Sequence, residues 1–96
     1  MIKIDQESFT RYFCENNVLP VILFDEFCEF LDDNNIEHRE GKGATQVMQV
    51  KANENIGFKV IFRSKHDIKN YTYNEALRPV MEQFFKTQHF KSIDVI

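Results

Sequence analysis

The chain has 96 residues, 43% hydrophobic and 28% charged, with ten phenylalanines and a formal net charge of −3. That length suits a single domain (1–96) around one core, and the apolar content excludes a disordered chain. No apolar run reaches bilayer-spanning length, which excludes a membrane helix, and Cys14 and Cys28 stand alone, without metal or redox spacing.

The N-terminal "MIKIDQESF" has no basic-then-apolar export pattern, so a cytoplasmic protein with two reduced thiols, no metal and no cofactor is expected. Asp5 or Ser8 can cap a first short helix with Phe9, Tyr12 and Phe13 on one face, and "ENNV" breaks it. Pro20 suits the first turn of a second helix. From Leu23 to Asp33 the pattern is amphipathic. Leu23, Phe24, Phe27, Phe30 and Leu31 fall on one side with Cys28 at its edge, and Asp25, Glu26, Glu29, Asp32 and Asp33 on the other. "DDNN" ends this helix.

The period then changes from that of a helix to that of a strand. "IEHRE" reads as a short strand and "GKG" as a turn. "ATQVMQVKA" and "GFKVIFR", joined by "NENI", read as a β-hairpin. Ala44, Met48, Val50, Ala52, Phe58, Val60 and Phe62 are expected to face the helices. Thr45, Val47, Gln49, Lys51, Lys59, Ile61 and Arg63 are expected to face away. A last helix carries Leu77, Val80, Met81, Phe84 and Phe85, with Tyr73 one turn earlier. Thr72 and Glu75 have capping-box spacing, whereas Pro79 argues for a later start, near Asn74 to Arg78, or for a kink. The apolar tail residues Ile93, Val95 and Ile96 fit an edge strand or a homodimer contact. The expected fold is a small single α+β domain. It has two N-terminal helices, an antiparallel two- or three-stranded sheet, and a C-terminal helix packed on one face.

Charge is polarised along the chain. Residues 1–35 hold eight acids and two bases, residues 36–72 four acids and seven bases, and residues 73–96 three of each. Phe, Ile, Asn and Lys supply 35 of the 96 residues, a usage that goes with AT-rich coding, as in many phages and mobile elements.

Two surfaces follow from the charge map. Lys51, Lys59, Arg63, Lys65, His66 and Lys69 are expected to share the solvent face of the sheet and its end, where they could neutralise phosphates. The run "SKHDIKNYTYNEAL" (64–77) resembles the lysine-bearing start of the last helix of double-stranded-RNA-binding domains, and "LPVILFDEFCEFL" (19–31) resembles their first helix. That resemblance implies an α-β-β-β-α order over 19–86, with Lys65 and Lys69 on phosphates and duplex RNA read by shape. Against it, Tyr71 and Tyr73 stand where that family packs small residues. Asp25, Glu29 and Asp32 would also repel phosphate. The second surface is the acidic helix face: Asp25, Glu26, Glu29, Asp32 and Asp33 can dock on a basic groove of a protein partner.

No P-loop, nucleophile elbow or zinc pattern is present in the sequence. His66 with Arg63 and Lys65 supplies the residue types of a metal-free ribonuclease, a third-ranked alternative. The expectation is therefore a non-enzymatic, phage-type inhibitor or modulator that docks on or occludes a protein partner. A nucleic-acid-binding module is the alternative.

Overall fold

The computed structural model describes residues 6–63 and 66–88. The order is helix α1 (Gln6–Glu15), strand β1 (Val18–Pro20), a 3-10 turn (Val21–Leu23), and helix α2 (Phe24–Asp33). Strands β2 (His38–Glu40), β3 (Gln46–Lys51), β4 (Phe58–Arg63) and β5 (Asn70–Tyr73) follow, then a second 3-10 turn (Glu75–Leu77) and helix α3 (Arg78–Lys86). All strand pairs are antiparallel, in the order β1-β5-β4-β3-β2. The α+β class stands, but the sheet has five strands rather than two or three. The expectations at Asp5, and at Ile93, Val95 and Ile96, fall outside the described residues.

Two Asn-Asn pairs end the first two helices by one mechanism. Asn16 and Asn34 each return their backbone N–H and their side-chain amide to the carbonyl four residues back, Tyr12 and Phe30. Asn17 and Asn35 then take φ 54, the left-handed region that asparagine tolerates better than most residues. At the end of α2, Asn35 N–H bonds Asp32 C=O and Ile36 N–H bonds Leu31 C=O, which closes a Schellman turn. The first pair leads straight into β1 and the second, after Ile36 and Glu37, into β2, so "ENNV" and "DNNI" end their helices alike.

Pro20 stands where the helical run begins, as the residue that caps its 3-10 turn rather than within its first turn. It is the last residue of β1, opposite Asn70, and its missing N–H is harmless on an edge strand. The 3-10 turn and α2 follow directly, as a single helical run.

The β3–β4 hairpin corrects the expected faces. Its loop, Asn53 to Ile56, is closed by Ala52 N–H to Gly57 C=O, with Asn53 Oδ1 accepting from the backbone N–H of Asn55 and of Ile56. A loop of four residues opposes positions of unlike parity on β3 and β4: Val50 to Lys59, Met48 to Ile61, Lys51 to Phe58. Ile61 is therefore fully buried, while Phe62 is 39% exposed. Phe58 and Val60 likewise face away from the helices, beside Lys51 and Gln49. A bulge between Gln46 and Met48 restores like parity at the strand end, where Gln46 opposes Phe62. Val47, at the bulge, packs against the core, and Ala44 is exposed.

The helices cover one face of the sheet. Leu19, Tyr73, Ile61, Met48 and Val50 on that face form a single cluster with Phe9, Phe13, Leu23, Phe27, Phe30 and Leu31 of the first two helical segments. Leu77, Val80, Met81, Phe84 and Phe85 complete it. Tyr12 is 57% exposed and does not join Phe9 and Phe13 inside. Tyr73 belongs to β5 rather than to a helix, and its hydroxyl donates to Phe13 C=O at 2.7 Å. Burial, reinforced by the neighbouring Cys14, raises this phenol above its ordinary range, so it stays a donor. Thr72 is a strand residue, and the cap before α3 is Asn74, whose Oδ1 accepts Ala76 N–H at 2.9 Å. Pro79 lies in the first turn of α3, where its lack of an N–H costs nothing.

Candidate functional site

α2 buries Phe27, Phe30 and Leu31, with Leu23 buried just before it, so geometry turns its five carboxylates outward. Asp25, Glu26, Glu29, Asp32 and Asp33 are all exposed. Asp32 sits 3.4 Å from His38 Nε2, and the other ring nitrogen of His38 lies 2.9 Å from Ile36 C=O. Asp25, Glu26, Glu29 and Asp33 have no ion-pair partner among the described residues. The Cys28 thiol reports the local field. Its ionisation is held back first by burial and then by Asp25 and Asp32 on either side.

The charge runs against the helix at one end. Asp25 and Glu26 in the first turn complement the helix dipole, but Asp32 and Asp33 sit in the last turn, which contains no base. Asp33 has no compensating ion-pair partner among the described residues. Asp33→Asn is expected to stabilise the fold by about 0.3–1 kcal/mol and to raise the thermal midpoint by roughly 2–6 °C. A fall in the midpoint on calorimetry would mean that Asp33 has a stabilising contact.

The cations expected to share one surface are dispersed. Lys51 lies on the open face of the sheet, 3.1 Å from Glu54 and 3.6 Å from Glu37, and Glu54 is the main cause of its raised pKa. Lys59 pairs with Val50 and Arg63 with Tyr71, which puts both on the helix side of the sheet. His66 and Lys69 are exposed on the connection between β4 and β5, and Lys65 lies outside the described residues. The one acid of that connection holds it together. Asp67 accepts Lys69 N–H at 2.9 Å and the Asn70 amide at 2.8 Å. These bonds, the one from Asn70 first, lower its carboxyl pKa. The segment that resembles a helix start, residues 64–77, contains β5 and a 3-10 turn, and four strands rather than three separate α2 from α3.

The open face of the sheet carries Phe58, Val60 and Phe62 on its central strand, with the Arg39 guanidinium 4.0 Å over the Phe58 ring and its Nε donating to Gln49. A groove of about 710 Å³ between α1 and α3 has two charged rims, Glu7, Arg11 and Glu15 against Arg78, Glu82 and Lys86. Its three acids and three bases balance, so it selects neither an anion nor a cation. No group of three His, Cys, Asp or Glu side chains among the described residues could hold a metal ion. No helix among them is long and apolar enough to cross a membrane.

Comparison with known protein families, curated proteins and solved structures finds no match.

Two exposed apolar residues, one at the head of the acidic stripe and one in the β4–β5 connection, carry no signal in the sequence pattern. Ile22 in the first 3-10 turn is 68% exposed, and Ile68 in the β4–β5 connection is 89% exposed. Ile22 follows an "LPV" stretch that reads as core, and Ile68 is isolated among polar residues, so neither had a periodic signal. The groove was legible in principle, because Glu7, Arg11 and Glu15, and likewise Arg78, Glu82 and Lys86, repeat at helical spacing.

Proposed function

We propose that this chain is a small non-enzymatic binding protein that docks the acidic face of α2 on a protein partner and occludes it, a mode suited to a phage or mobile-element modulator acting in the cytoplasm. One observation carries the reading. Four of the five exposed carboxylates of α2 have no ion-pair partner among the described residues, and the stripe continues into the last turn, where the helix dipole opposes it. A stripe placed only for folding would stop short of that turn, so a partner supplying the missing cations is the better account. The scattered cations give the nucleic-acid alternative no comparable surface.

The test is a pull-down at low ionic strength with the immobilised chain and with an Asp25→Asn/Glu29→Gln/Asp32→Asn variant. The wild type is expected to retain a protein that salt releases. The variant is expected to lose it while keeping a cooperative melt. Equal retention by the variant, or salt-sensitive retention of duplex RNA in place of protein, would overturn the proposal.

A further inference from the structure

The acidic stripe begins at an exposed isoleucine. Asp25, Glu26, Glu29 and Asp33 lie three, four, seven and eleven positions on from Ile22, which puts all five on one side of the helical run. Ile68 belongs to the same corner. The β1–β5 ladder, with Pro20 opposite Asn70, continues through Val21 N–H to Lys69 C=O at 2.8 Å, and Ile22 and Ile68 are the next residues on either side. Both positions are anchored. Leu23 is buried behind Ile22, and Asp67 fixes the connection that presents Ile68 through its bonds to Lys69 and Asn70. Single exposed isoleucines are ordinary, but here the backbone ladder brings two of the most exposed large apolar residues to one corner.

Resting on the docking role proposed for α2, we infer that Ile22 and Ile68 are the apolar anchor of that surface. The partner they fit is a protein whose apolar cleft is bordered by lysine and arginine. The carboxylates fix the charge of the rim, and the isoleucines require a desolvated pocket beside it. Neither nucleic acid nor an anionic membrane meets both demands. His66 and Lys69 flank Ile68, but the five carboxylates of α2 outnumber them. Isoleucine offers a base no aromatic stacking surface, and the stripe repels phosphate and anionic headgroups alike.

The test uses two labelled peptide probes, an amphipathic Leu/Lys helix and an all-Lys peptide of equal charge, titrated by anisotropy at two salt concentrations. The wild type is expected to prefer the Leu/Lys probe at least about tenfold. Ile22→Ser/Ile68→Ser should abolish that preference and leave the salt-dependent binding of the all-Lys probe intact. Asp25→Asn/Glu26→Gln/Glu29→Gln should weaken binding of both probes. If the preference survives in the serine variant, the anchor is wrong while the docking role of the acidic face stands. If the carboxylate variant binds both probes like the wild type, the acidic-face reading itself fails. Sedimentation of the unlabelled chain covers the remaining occupant: a dimer abolished by the serine variant would assign the corner to a second copy and overturn the inference.

Discussion

Phe84→Ala is expected to remove about 3–5 kcal/mol of folding stability, a large part of the roughly 5–15 kcal/mol typical of a domain. Phe84 is fully buried where α3 meets α2. Its ring lies 5.0 Å from Phe27 in an edge-on contact, 5.5 Å from Phe30 and 5.4 Å from Phe85. Truncation therefore forfeits transfer free energy, three aromatic contacts and the packing of a cavity that rigid neighbours cannot collapse to fill. A urea titration checks this, with Ile56→Ala in the β3–β4 loop as the control. Ile56 is 46% exposed, and its loss should stay within about 0.5 kcal/mol. A cost at Phe84 below about 2 kcal/mol would mean that α2 and α3 do not share the core described above. The acidic stripe depends on this contact, because packing of the phenylalanine face is what points the carboxylates outward.

α2 was the most legible element because a helical period over eleven residues separates five apolar from five acidic positions, and no other regular structure sorts them so. The same pattern made the acidic half of the candidate site legible. β1 and β5 were not, since three and four residues are too few to establish a period. Pro20 both ends β1 and caps the helical run, so its helix-start signal hides the strand before it, and Tyr73 lies at helical spacing from Leu77 although it belongs to β5. The corner of Ile22 and Ile68 could not be seen in one dimension. Forty-six positions separate the two residues, and it is the β1–β5 ladder that brings them to one place. The basic sheet face failed for a different reason. Alternation marks each strand of the hairpin but not the phase in which its two halves pair.

That phase gives the second large effect. Ile61→Ala is expected to cost about 2–5 kcal/mol, and Phe62→Ala, one residue away, less than about 1 kcal/mol. Side-chain size alone argues the reverse, because phenylalanine is the larger apolar group. The order is set by the hairpin loop. Four residues between Ala52 and Gly57 oblige the buried Met48 and Val50 to face Ile61 and Lys59, so the helix side of β4 is odd-numbered. Ile61 then fills the centre of the sheet between Met48 and Tyr73, while Phe62 lies between Gln46 and Thr72 on the open face. Denaturant melts of the two variants discriminate directly. If Phe62→Ala proved the more damaging, β4 would be turned over. Lys59 and Arg63 would then join Lys51 on the solvent side, the cations would form one surface, and the case for a nucleic-acid partner would be restored. If Ile61→Ala is the costly change, the cations stay divided between the two faces of the sheet, and the acidic stripe of α2 remains the longest run of like charge among the described residues that a partner could read.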